Sequence, residues 1–110
     1  MKAYKLVIDV GALQDIQDTT DWYNEQSHGL GGRFQKQAKS QINTLKEHPL
    51  AYSIRYTDVQ CMLIKKFPFL VHFIVDDTKL TVEVFAVIHT SRNPKIWEEK
   101  REGNNQGSSG

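Results

Sequence analysis

The sequence predicts an α+β fold in the order β-α-α-β-β-β, with a helical hairpin packed on one face of a twisted, mainly antiparallel sheet. Three observations predict it. A β-type alternation stands at the N-terminus, two consecutive segments carry apolar residues at helical spacing, and dense apolar runs separated by turn chemistry fill the second half.

Residues 3–9 alternate and are rich in β-branched and aromatic types, which predicts the first strand. From Gly11 the period changes: Ala12, Ile16, Thr19 and Tyr23 share one helical face, while Asp15, Asp18, Asp21 and Glu25 take the others and read as a solvated surface. This predicts a helix over 11–27, closed by Ser27-His28-Gly29. A second helix opens at Leu30-Gly31-Gly32, carries the stripe Phe34, Ala38, Ile42 and Leu45, and is stopped by Pro49. The short connection makes the pair an antiparallel hairpin.

Strands are expected over 61–67, 69–75 and 80–89, with Pro68 as a break and Asp76-Asp77-Thr78-Lys79 as a turn. Residues 50–59 connect, with room for a short strand around Tyr52 to Arg55. The sheet face away from the helices is left for function. The folded unit is expected over 1–100, and the polar stretch 101–110 is expected to be a disordered tail.

No apolar run approaches the roughly 20 residues of a membrane-spanning helix, and no secretory h-region follows Met1, so a cytoplasmic protein with no membrane partner is expected. Cys61 is the only cysteine, which excludes an internal disulfide, and no Cys/His cluster has zinc-site spacing, so neither a metal nor another cofactor is expected. The small net charge hides a division. Residues 1–27 carry Lys2 and Lys5 against Asp9, Asp15, Asp18, Asp21 and Glu25. Residues 28–74 carry Arg33, Lys36, Lys39, Lys46, Arg55, Lys65 and Lys66 against Glu47 and Asp58 alone. A basic middle suits an anionic partner, or is simply a solvated helix face.

Several features together resemble the RelE/ParE family of type II toxin–antitoxin toxins. They are Ala12-x-x-Asp15-Ile16 with Trp22-Tyr23, Leu30-Gly31-x-x-Phe34, Leu45 with Pro49 and Tyr52, Lys65-Lys66-Phe67-Pro68-Phe69, and Ala86-Val87-x-His89-x-x-Arg92-x-Pro94-x-x-Trp97. The likeness spans residues 4–97. It implies a compatible fold and a cognate antitoxin that wraps the toxin and blocks its active face. RelE-like members cleave messenger RNA on the ribosome without a metal, whereas ParE-like members poison DNA gyrase. The resemblance therefore implies first a metal-independent endoribonuclease that acts on ribosome-bound messenger RNA and inhibits translation, with a non-catalytic gyrase poison, or a degenerate relative that only binds antitoxin or RNA, as the alternative.

Metal-free RNA cleavage needs a base, an acid and positive charge at the crowded phosphate. Lys65, Lys66, His89 and Arg92 are the catalytic candidates, with Arg55, Tyr52 and Trp97 as RNA-binding candidates. Arg92 can bind a phosphate through two hydrogen bonds, His89 can exchange a proton near neutral pH, and Trp97 can stack a base. Each has a structural alternative: strand-edge solubility for the lysines, an acidic partner for Arg92, a backbone bond for His89, a core cap for Trp97. Consecutive residues on a strand face opposite ways, so only one of the two lysines can line a given site. Family members with this Phe-Pro-Phe signature carry arginine six or seven positions before the first Phe. Here those positions hold Cys61 and Gln60.

Overall fold

A computed structural model describes residues 3–92. The chain begins with β1 (Lys5–Ile8), followed by α1 (Val10–Gln26) and α2 (Leu30–Thr44). One turn of 3-10 helix (Pro49–Ala51) leads to β2 (Ile54–Tyr56), β3 (Val59–Leu63), β4 (Phe69–Asp76) and β5 (Thr81–His89). The strands form one sheet in the order β1-β5-β4-β3-β2. β1 lies parallel to β5 and the other neighbours are antiparallel. The predicted α+β class and the helical hairpin on a mainly antiparallel sheet are therefore present.

Local chemistry explains the hairpin. Ala12, Ile16 and Thr20 bury one stripe of α1, and Gly31, Phe34, Ala38 and Ile42 bury one stripe of α2. Gly29 turns the chain with φ +84°, a conformation that glycine adopts without a Cβ penalty. A Cβ on Gly31 would overlap the carbonyl oxygen of Thr20, so the helices approach as closely as they do only because this residue has no side chain. The Gly31 N–H donates to Asn24 Oδ1 at 2.8 Å. Beneath the helices, Tyr23, Phe34, Phe67 and Phe69 form an aromatic cluster with centroid separations of 5.2–6.1 Å. Full burial of Phe34 contributes roughly 1.5–3 kcal/mol, and the half-buried Tyr23, Phe67 and Phe69 contribute less each.

Several expected boundaries move. α2 ends at Thr44 rather than at Pro49, and Leu45, Lys46 and Glu47 continue as turns. The strand expected over 61–67 is β3 at Val59–Leu63, and the short strand expected around Tyr52 to Arg55 is β2 at Ile54–Tyr56. β3 pairs with β4 along its whole length, from Val59 opposite Ile74 to Leu63 opposite Leu70, and the chain turns at Ile64, whose N–H donates to the Phe69 carbonyl. Ile64 then turns into the core with no solvent exposure, and Lys65 and Lys66 fall in the following turn.

The expectation of an open sheet face is also corrected. The side away from the helices carries a second buried cluster of Val59, Cys61, Leu70, Phe85, Ala86 and Ile88, with His72 fully buried beside it. His72 Nδ1 lies 3.1 Å from Tyr56 Oη and 3.5 Å from Cys61 Sγ. Burial pushes the Cys61 thiol up to about 11, so it behaves as a small neutral group, as its apolar context predicts.

β5 contains the irregularity that shapes the functional end. His72 pairs with Ala86 but Phe73 pairs with Val84, so Phe85 is an extra residue in β5. The bulge puts Phe85 and Ala86 together on the far face and returns Val87 to the helix side. His89, two residues on, follows it.

Candidate functional site

The bulge, the end of β1 and the tilt of α1 together open a groove. β1 pairs with β5 only as far as Ile8 opposite Val84, after which Asp9 N–H donates to the Val84 carbonyl and the chain leaves for α1. Beyond Val84 the outer edge of β5 faces α1 instead of a strand. The cleft between them has a volume of about 920 Å3, with Asp15, Asp18 and Trp22 on one wall and Val87, His89 and Arg92 on the other. Phe69 supplies an apolar floor, and Ile88, whose side chain belongs to the far-face cluster, completes the lining.

Asp15 closes the bottom. Its Oδ2 accepts the backbone N–H of Val87 at 2.9 Å. This residue was expected on a solvated helix face. Its place is explained by its position three residues after buried Ala12 and one before buried Ile16, at the border of the apolar stripe. Trp22 stands at the rim with 53% of its surface exposed, its ring edge-on to Tyr23 at 5.1 Å. Sequence reasoning did not single out Asp15, Asp18 or Trp22 as site residues. The available signal was the polar and aromatic border of the α1 stripe at steps of three and four residues.

His89 is held firmly. Its ring meets Phe69 edge-on at 5.1 Å, and the Ser91 backbone N–H donates to Nδ1 at 3.0 Å with Ser91 Oγ 2.7 Å away. A backbone N–H can only donate, so Nδ1 is the acceptor and the neutral ring carries its hydrogen on Nε2. The Arg92 N–H donates to the His89 carbonyl at 3.0 Å, which folds the end of β5 into a turn and leaves Arg92 exposed on the groove wall.

The turn bearing Lys65 and Lys66 reaches the same end of the sheet. Phe69 pairs with His89, and Thr90 N–H donates to the Pro68 carbonyl at 2.9 Å. Both lysines are exposed and neither lines the groove. Because β3 has ended, the strand alternation that would have put them on opposite faces does not apply, which corrects that expectation. Tyr52 and Arg55 are not brought to this end. Tyr52 packs edge-on against Phe73 at 6.1 Å, and Arg55 is exposed on β2, three strand spacings or about 14 Å across the sheet from β5. Trp97 and the 101–110 stretch lie outside the described residues.

Gln60 and Cys61 have other work. Gln60 Nε2 donates to the carbonyls of Pro49 at 2.8 Å and Tyr52 at 2.6 Å, tying the connecting segment to the sheet. Cys61 is buried on the far face. Among the described residues, no three His, Cys, Asp or Glu side chains gather as a metal site would require, and no helix is long and apolar enough to cross a membrane.

Comparison with known proteins bears on this arrangement. A family model described as the ParE toxin of the type II toxin–antitoxin system parDE matches residues 6–94. No curated protein matches the sequence. Among solved structures, the chain is similar to one from the chromosomal ParDE system of P. aeruginosa, with a TM-score of 0.72 and 13% identity over 81% of this chain and 98% of that one. It is similar to the E. coli toxin RelE in the free state, in an arginine-substituted form, with a TM-score of 0.67 and 21% identity over 91% and 96%. It also matches a chain of the intact E. coli RelBE toxin–antitoxin complex, with a TM-score of 0.61 and 24% identity over 82% and 100%. At these identities the structural likenesses establish the shared fold.

Proposed function

The chain belongs to the ParE toxin family of type II toxin–antitoxin systems, and from that premise we propose that it acts by gripping a protein target, of the DNA gyrase class, in the groove between α1 and β5. The observation that carries this reading is the groove's composition. An apolar floor and a half-exposed Trp22 are set between the carboxylates of Asp15 and Asp18 and the cation of Arg92. Such a mixture suits a protein surface, where a buried aromatic and an arginine commonly dominate the binding energy. It suits a nucleic-acid phosphate less well, because Asp18 would repel it. The positions of the family's arginine pair point the same way, since Gln60 and Cys61 are buried and bonded elsewhere.

A cognate antitoxin is the expected silencing partner, as toxin–antitoxin complexes are among the structural neighbours. It would act by covering this groove.

One set of observations favours a second reading, a metal-independent endoribonuclease acting on ribosome-bound messenger RNA. His89 is fixed with its hydrogen on Nε2, Arg92 is beside it, and the Lys65-Lys66 turn lies at the same end of the sheet. In that chemistry Arg92 and one lysine would offset phosphate charge and the Nε2–H of His89 would hydrogen-bond a phosphate oxygen, while water takes the proton of the attacking 2′-hydroxyl and returns one to the leaving 5′-oxygen. Induced expression with pulse labelling separates the two. Gyrase poisoning predicts that DNA synthesis falls first, with a DNA-damage response and intact messenger RNA. An immediate stop in translation with cleaved messenger RNA overturns the first reading in favour of the second.

A further inference from the structure

The helical hairpin is electrically divided. α1 carries Asp15, Asp18, Asp21 and Glu25 and no lysine or arginine. α2 carries Arg33, Lys36 and Lys39 and no aspartate or glutamate. Helical geometry divides α2 further. Arg33, Gln37 and Gln41 fall on one row at four-residue steps, with Lys36 on the neighbouring row, whereas Lys39 lies round the helix.

The row through Gln41 meets the turn after β3. Gln41 Nε2 donates to the Leu63 carbonyl at 3.0 Å, and its Oε1 accepts the Lys65 N–H at 2.7 Å and Gln37 Nε2 at 2.8 Å. The turn then runs back along α2, so that Phe67 packs on Phe34 at 5.3 Å. Lys66 occupies it with φ +72°, a left-handed conformation held by these contacts. A glutamine ladder thus ties the turn that carries Lys65 and Lys66 to the helix that carries Arg33 and Lys36. All four are exposed, and among the described residues none is ion-paired.

We propose that Arg33, Lys36, Lys65 and Lys66 form a docking strip for the phosphodiester backbone of duplex DNA, separate from the α1–β5 groove. Charge complementarity supplies the attraction, and the pinned turn holds the cations in place without a further ordering cost. Single-stranded RNA is disfavoured because among the described residues no exposed aromatic side chain interrupts the strip to stack a base, and Phe67 is turned into the aromatic cluster. The strip recognises charge and shape and carries no sequence preference.

The test is fluorescence anisotropy of the purified full chain with three labelled probes: a short DNA duplex, a single-stranded RNA and a polyglutamate peptide. The duplex is expected to bind with a dissociation constant on the order of 10 μM at low salt, and with a slope of log affinity on log salt near −3.5 for four phosphate contacts. The double variant R33E/K36E and the double variant K65E/K66E should each weaken binding by tenfold or more and roughly halve the slope. Lys39→Glu should change affinity less than threefold. Trp22→Ala and Arg92→Ala, which address the groove, should leave duplex binding intact, so a failure of either surface is visible by itself. Melting curves of the charge variants should match the parent, since all four side chains are in solvent. Absence of duplex binding, preference for the RNA or the polyglutamate, or an equal effect from Lys39→Glu would each overturn the proposal.

Discussion

The carboxylate of Asp15 accepts the backbone N–H of Val87, 72 residues away in sequence. It takes the role that a neighbouring strand would play at this exposed stretch of β5, and it fastens α1 to the strand that ends at His89. Asp15→Ala is expected to leave the Val87 N–H without this acceptor and to cost about 1–3 kcal/mol, a fall in melting temperature of several degrees. Asp15→Asn keeps an acceptor oxygen and should recover most of that loss. Thermal melts of the two variants measure the difference. Equal melting temperatures for Ala and the parent would remove this bond from the account of the groove.

Arg92 offers its guanidinium from the groove wall, and among the described lining residues no other lysine or arginine is present. Arg92→Ala should lower affinity for the protein target by about 30-fold or more, a loss of roughly 2 kcal/mol of the size seen at interface anchors. Growth inhibition after induction should disappear while the melting temperature holds. Arg92→Lys should recover only part, because an ammonium cannot reproduce a two-pronged contact. Full toxicity in the Ala variant would mean that the groove is not the working surface.

Gly31→Ala addresses the hairpin alone. The added methyl group would strike the Thr20 carbonyl and the Asn24 side chain, so α1 and α2 must separate. A loss of about 2–4 kcal/mol is expected, by analogy with overpacked cores. Gly32→Ala, whose new Cβ would meet no atom within 4 Å, is the control and should leave stability unchanged or slightly raised. Chemical denaturation of the pair checks this.

Cys61 gives stability an alkaline limb. Its folded-state pKa is raised by burial to about 11 from an ordinary value of 9.0. The thiol therefore ionises first in the unfolded chain, and stability that is complete below pH 9 falls between pH 9 and 11. The loss should approach roughly 2 kcal/mol over that window, at about 1.4 kcal/mol per pH unit less the relaxation of the site. Cys61→Ala should flatten this part of the profile. Tyr4 and Tyr23 are also raised, Tyr4 first by its 2.6 Å hydrogen bond to Asp77 and Tyr23 by burial, and they continue the decline above pH 10 in both proteins.

Much of the fold was legible because its signals are local. The apolar stripes of α1 and α2, the alternation of residues 3–9 and the Asp76–Lys79 turn all act over a few residues, and they lie where they were expected. What was not legible depends on long-range pairing. The pairing of β3 with β4 ends at Leu63 opposite Leu70, which leaves Lys65 and Lys66 in the turn and off the strand. The extra residue Phe85 reversed the alternation of β5, so strict period two would have put Val84, Ala86 and Ile88 together and His89 on the other face. The bulge instead carries His89 to the side of α1. Asp15 was hidden for a similar reason, since its partner is a backbone group in the last strand. The grouping of His89 and Arg92 was legible because they are close in sequence, while their pairing with Trp22 was not.

The parallel pairing of β1 with β5 has a consequence for how the molecule comes into being. Among the described residues, the first strand, β1, finds its neighbour in the last, β5, since β1 sits at the sheet edge beside Thr81–Val84. Such non-local pairing must wait for loop closure across nearly the whole chain. A nascent chain on the ribosome can form the helical hairpin early, but it has no second wall for the groove until β5 has emerged. The groove is therefore absent from any nascent chain in which β5, the last strand among the described residues, has yet to be made.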